Sequence, residues 1–267
     1  MALVPFPSAK PGDDDDSERS DDDSTGKMSF LEHLDELRTR LIKIIYGLIV
    51  GCVIAYIFIE RIFDFFMRPL AQVSGGHLQY TSGAEPFMLW MKIGFLAGIF
   101  ISSPWILWQI WKFIAPGLYT HEKKFAIPFV VLSTVCFISG AAFCYYVAFP
   151  WTWKFFNSFS TDYMVFTPKV DEAFSLYAKM LLGFGLMFQM PTVVFFLARM
   201  GVVTGGFLLK YSKYALLIIT IIAAVVSPGT DAMSTIIYAV PMLALYAVSI
   251  VVAYVFQRRK RPVSATD

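Results

Sequence analysis

The segment "SFLEHLDELRTRLIKII", residues 29–45, sets acids and bases directly against the start of a long apolar run. Ser29 and Glu32 have capping-box spacing, so a helix can begin here. Phe30, Leu34, Leu37 and Leu41 recur at helical spacing on one face, which suits lipid or neighbouring helices. Glu32 and Glu36 share a different face, one turn apart. A helix anchored at a membrane surface needs only the bases Arg38, Arg40 and Lys43, so the acids require a separate reason. One reason is internal pairing, Glu36 with Arg40 and Asp35 with Arg38, at about 0.2–0.5 kcal/mol per pair.

The run that follows is one of six. They cover roughly residues 41–59, 87–111, 125–148, 173–198, 214–227 and 232–256. A membrane-spanning helix takes about 20 mostly apolar residues. The chain of 267 residues is 57% hydrophobic and 16% charged, where a soluble domain is about a quarter charged. An all-α polytopic membrane protein with six transmembrane helices is expected. The fifth run is short: Tyr214 to Val226 makes only about 20 Å of helix. Pro241 interrupts the sixth.

Lysine and arginine set the expected orientation. With the N-terminus inside, the inner segments hold Arg38, Arg40, Lys43, Lys112, Lys123, Lys124, Arg199, Lys210, Lys213 and the 258–261 basic run. The outer side holds the smaller set of Arg61, Arg68, Lys92, Lys154, Lys169 and Lys179. Both termini are therefore expected in the cytoplasm, with two long outer loops near 60–86 and 149–172. Lys92 and Lys179, lying within helices, are expected to extend toward the outer interface. Trp105, Trp108 and Trp111 occupy inner belt positions, and Trp90, Trp151 and Trp153 occupy outer ones.

Residues 1–27 carry Asp13–Asp16, Glu18 and Asp21–Asp23 and lack the apolar stretch of a secretory signal. They are expected to form a disordered acidic cytoplasmic tail. Residues 28–256 form the membrane domain, and 257–267 a basic cytoplasmic tail. Cys52, Cys136 and Cys144 lie in apolar runs without metal or redox spacing and suit packing roles.

The inner segment "FIAPGLYTHEKKFAIPF", residues 113–129, turns at Pro116-Gly117 and offers Thr120 as a helix cap. Glu122 would then sit in the first turn of the third span, where the helix dipole favours an acid. "HEKKF" lacks the second histidine of a zinc-binding motif because Phe125 stands there. No nucleophile elbow or P-loop occurs, so no catalytic residue, metal or cofactor is assigned. A small-solute transporter or channel is the alternative class. It would want a polar midplane site, and Gln189 is almost the sole polar group at that depth.

Five motifs carry a family resemblance: "FLEHLDELRTRL", "RPL" at 68–70, "SPWILWQIWKFIAPGLYTHEKK" at 103–124, "FQMP" at 188–191 and "SPGTDAMST" at 227–235. On these the chain resembles TatC, the receptor core of the twin-arginine protein translocase, over about residues 28–257. The resemblance implies six spans with a short fifth and sixth. It implies a non-enzymatic receptor and scaffold in the bacterial inner membrane, powered by the proton motive force. Glu36 and Glu122 would receive the two arginines of a signal peptide. Arg38, Phe113, Lys123 and Lys124 would complete that site, and Pro69 would shape the outer cap. Gln189, Ser227, Pro228, Asp231 and Thr235 would contact single-span TatA/TatB-type subunits, and copies would self-associate in the receptor complex. Relatives often carry a glutamate where Gln189 stands. The 227–231 tip also departs from the family's two prolines before an aspartate, and Thr235 replaces a frequent glutamine.

Overall fold

The computed structural model describes residues 30–73, 78–114, 126–163, 166–227 and 232–256. These residues form ten α-helices: α1 Phe30–Ile57, α2 Ile59–Val73, α3 Glu85–Ile114, α4 Ala126–Phe143, α5 Phe149–Asn157, α6 Val170–Met187, α7 Met190–Arg199, α8 Gly205–Lys210, α9 Ser212–Val226 and α10 Ala232–Phe256. A π-helical turn, Cys144–Ala148, joins α4 to α5. An isolated parallel bridge between Gln79 and Lys169 ties the loop before α3 to the loop before α6.

Five helical stretches are long and apolar enough to cross a bilayer: Glu32–Ile57, Glu85–Ile114, Ile127–Asn157, Val170–Arg199 and Ala232–Phe256. A shorter apolar helix, Ser212–Val226, makes the sixth. The multi-pass architecture follows, and α9 at 15 residues is the short fifth span. The sixth is not short: α10 runs 25 residues through Pro241. The third span also outruns its expected end, because the π turn carries the helix on into α5 instead of stopping it.

The fourth span breaks between α6 and α7. Pro191 stands at the start of α7, where its missing N–H costs nothing, and the chain turns at Phe188 and Gln189 just before it. Pro104 inside α3 leaves the Phe100 carbonyl without its helical donor, and Ser103 Oγ donates to that oxygen at 2.7 Å.

The chain divides into two compact units, residues 1–39 and 40–267. In the second, a core draws on α2 through α6, α9 and α10, with Trp153, Tyr177, Phe149, Phe174 and Phe184 at its centre. Lipid is as apolar as leucine, so close packing and hydrogen bonds hold these helices together. The crossing of α1 and α3 illustrates the first. A Cβ at Gly51 would come within 2.7 Å of the Gly98 carbonyl oxygen, and one at Gly98 within 2.9 Å of Cys52 Cα. Both obstacles are backbone, so only glycine permits this approach. Trp105 Nε1 then reaches across to donate to the Lys43 carbonyl at 2.9 Å.

Helix α2 is amphipathic. Phe66 and Leu70 are buried and Ile62 and Phe63 pack on the core, while Glu60, Arg61, Asp64 and Arg68 face outward. One expectation at the interfaces needs correction. Trp111 and Trp153 turn into protein, at 7% and 1% exposure, whereas Trp105 and Trp151 stay outside. Lys92 is tied down: its Nζ donates to Asp171 Oδ1 at 2.5 Å and to Ser175 Oγ at 3.4 Å, joining α3 to α6.

Candidate functional site

Glu36 and Arg38 lie in the leading turns of α1, Glu36 half-buried and Arg38 exposed. Phe113 is half-buried one residue before the end of α3. Glu122, Lys123 and Lys124 fall in 115–125, outside the described residues.

What the structure does show is how the flanks of that segment are held. Trp111 near the end of α3 and Phe129 near the start of α4 bring their rings to 5.5 Å. Phe196 of α7 closes the group, 4.9 Å from Trp111 and 5.5 Å from Phe129. Phe195 adds a fourth ring, 5.0 Å from Phe129. These separations lie within the range where aromatic pairs attract beyond their contact area. Trp111 Nε1 also donates to Ser133 Oγ at 2.6 Å, which fixes the indole's rotation. Helices α3, α4 and α7 are thus clamped where the 115–125 segment leaves and rejoins the bundle.

Polar groups reinforce this end. Arg40 Nη1 donates to Gln109 Oε1 at 3.3 Å. Gln109 is only 2% exposed, so its oxygen needs a donor, and a guanidinium supplies a charged one. Lys112 Nζ sits 4.8 Å from the Trp108 ring centre, a cation–π distance. Sequence reasoning passed over Gln109; its signal was a lone amide inside "WILWQIWKF".

Gln189 is half-buried at the α6–α7 break, and its Nε2 donates to the Ser133 carbonyl at 2.8 Å. Ser133 therefore receives Gln189 on its backbone and Trp111 on its side chain, coupling the fourth span to the aromatic clamp. Ser227 ends α9, half-buried, its N–H bonded to the Ala223 carbonyl at 2.8 Å. Thr235 is half-buried in the first turn of α10. Pro228 and Asp231 lie outside the described residues. Among the described residues no group of three or more His, Cys, Asp or Glu side chains converges as metal ligands would.

Pro69 is buried within α2. Its missing N–H leaves the Phe65 carbonyl, four residues back, without a helical partner. Tyr145 of the π turn supplies one: its hydroxyl donates to Phe65 O at 3.1 Å, and the two rings stack at 4.9 Å. This joins α2 to the third span. Tyr145→Phe should keep the stack, lose the hydrogen bond and cost about 1 kcal/mol. Thermal unfolding in detergent measures this, with the 72% exposed Tyr146 changed to Phe as a neutral control.

These features define a polytopic helical membrane protein. Residues 32–241 match the family model described as Sec-independent protein translocase protein (TatC). The chain is 39% identical over 244 residues to the TatC protein of Koribacter versatilis, covering 88% of this chain and 89% of the relative. It is 41% identical over 236 residues to that of Desulforapulum autotrophicum, covering 88% and 87%. A crystal structure of the twin arginine translocase receptor TatC superposes with a TM-score of 0.73 at 35% identity, covering 85% of this chain and all of that one. The chain belongs to the TatC family of Sec-independent protein translocase proteins.

Proposed function

We propose that this protein is the signal-receiving core of a twin-arginine translocase, resident in a bacterial cytoplasmic membrane with both termini inside. It binds the paired arginines of a signal peptide at its cytoplasmic face. It then recruits single-span TatA/TatB-type subunits, alongside further copies of itself, to export folded cargo on the proton motive force. It performs no enzymatic chemistry of its own. The excess of lysine and arginine on the segments assigned inside supports the orientation. Residues 1–27 and 257–267 would then be cytoplasmic tails flanking the membrane domain.

The observation that carries the reading is the aromatic clamp of Trp111, Phe129 and Phe196. It fixes the flanks of the segment bearing Glu122, Lys123 and Lys124. A carboxylate selects between two cations only if its position is set, because a guanidinium's advantage over an ammonium is its planar two-pronged geometry. Glu36 on α1 supplies the second carboxylate, Arg38 and Lys123 balance the empty site, and Phe113 and Lys124 border it. Binding is an exchange of partners, so discrimination exceeds raw affinity. Gln189, Ser227, Pro228, Asp231 and Thr235 are assigned to contact with partner subunits, and Pro69 to the shape of the outer cap.

A photoreactive residue placed beside position 36 or 122 tests the assignment in reconstituted membranes. A signal peptide carrying Arg-Arg should crosslink from both positions, and its Lys-Lys version at about a tenth of that yield or less. Equal yields from the two peptides would refute arginine selection.

A further inference from the structure

A cavity of about 460 Å³ opens between α2, α3 and α4. Phe65, Phe100, Ile138, Ala142 and Tyr145 line it, and Arg61 stands among them as the sole charged residue of the lining. Arg61 lies on the outward-facing side of α2 and is exposed. Among the described residues no carboxylate comes within ion-pair distance of its guanidinium. Arg68 shares its stripe of the helix two turns on.

Along α4 and into the π turn the apolar lining runs from Ile138 to Tyr145, about 10 Å of helix. That is about a third of a hydrocarbon core. One end of the cavity is thus cationic and bordered by a tyrosine, as suits the headgroup level. The remainder is apolar and faces the space lipid tails fill. An occupant that matches both ends carries an anion at one end and a flexible apolar chain behind it. A neutral peptide helix would match the apolar lining and leave Arg61 unanswered.

We infer that this cavity binds an anionic phospholipid, with its phosphate on Arg61 and one acyl chain between α2, α3 and α4. The lipid would seal the seam where the amphipathic α2 meets the third span, beside the Tyr145–Phe65 hydrogen bond. Its role is separate from reception of the signal peptide.

Native mass spectrometry of the full chain, given equimolar phosphatidylglycerol and phosphatidylcholine, tests the proposal. Wild-type protein should retain phosphatidylglycerol in about tenfold preference, because both lipids offer a phosphate to Arg61 but only phosphatidylcholine brings a choline cation that offsets that charge. Arg61→Gln should bind both lipids equally. Ala142→Trp, which fills the cavity, should retain neither. Should that variant fail to fold, a photoreactive phenylalanine analogue in place of Ile138 gives a second reading, with a lipid adduct as the supporting result. No preference in the wild type, an unchanged preference in Arg61→Gln, or a peptide adduct from position 138 would overturn the proposal.

Discussion

Glu122→Ala should nearly abolish capture of a twin-arginine signal peptide while the protein still inserts and folds. A charge-assisted hydrogen bond contributes about 1.5–3 kcal/mol, or roughly a 10- to 150-fold change in binding. The arginine left behind would meet Lys123 and Lys124 with no acid between them, so the loss should fall at the upper end. Glu36→Ala should act in the same direction. Titration of a labelled signal peptide against reconstituted protein measures both. Retention of parental affinity by both variants would remove the carboxylates from the site.

The second large effect is expected at a residue that need not touch the signal at all. Trp111 packs on Phe129 and Phe196 and bonds Ser133. Trp111→Ala opens a cavity among α3, α4 and α7, and truncations of this size cost about 3–5 kcal/mol. Thermal unfolding in detergent should register that loss. Signal affinity should fall as well, since the flanks of 115–125 are no longer held. Trp111→Phe keeps a ring in the clamp and gives up only the hydrogen bond, so it should cost about 1 kcal/mol and recover most of the affinity. A clamp that only stabilises the bundle would lower the unfolding temperature in Trp111→Ala and leave signal affinity in the folded fraction unchanged.

The two effects differ in kind. At Glu122 the expected loss is of charge, and it should weaken as salt rises if the site is open to water. At Trp111 the loss is of packing and should be nearly indifferent to salt. A salt series on the two variants therefore separates a contact residue from a positioning one.

Much of the fold could be read from composition and charge, because a bilayer leaves a chain few options. Backbone polar groups in lipid must be satisfied within the helix, so each apolar run becomes a span. Helix ends were harder. The third span passes through a π turn that no local signal marks, whereas α1 begins at Phe30, directly after the expected Ser29 cap. The sixth span was expected short by resemblance alone, and α10 contradicts that with 25 residues.

Interface residues were misread where the sequence cannot say which way a side chain points. Trp105 and Trp111 lie six apart on α3, and each suits a belt. Only packing shows Trp105 outside and Trp111 clamped between Phe129 and Phe196. Lys92 could not be matched to Asp171, 79 positions away, without knowing that α3 and α6 meet. At Pro69 the hydroxyl answering the orphaned Phe65 carbonyl comes from Tyr145, which no local rule selects.

Gln189 marks a departure whose consequence is local. An ionisable group at that depth would be costly and functional by default. The amide instead donates to the Ser133 carbonyl. Coupling of protons to transport, if it passes through the membrane domain, must then use another group.

Direct contact between a carboxylate of this chain and a guanidinium of the signal is tested most cleanly by a double-mutant cycle. Glu122→Gln would be combined with replacement of one signal arginine by lysine, and binding measured for all four pairs. Interacting residues typically couple by about 0.5–3 kcal/mol, and a paired Glu122 should show a coupling in the upper half of that range. Losses that simply add, within about 0.5 kcal/mol, would contradict contact between Glu122 and the arginine pair.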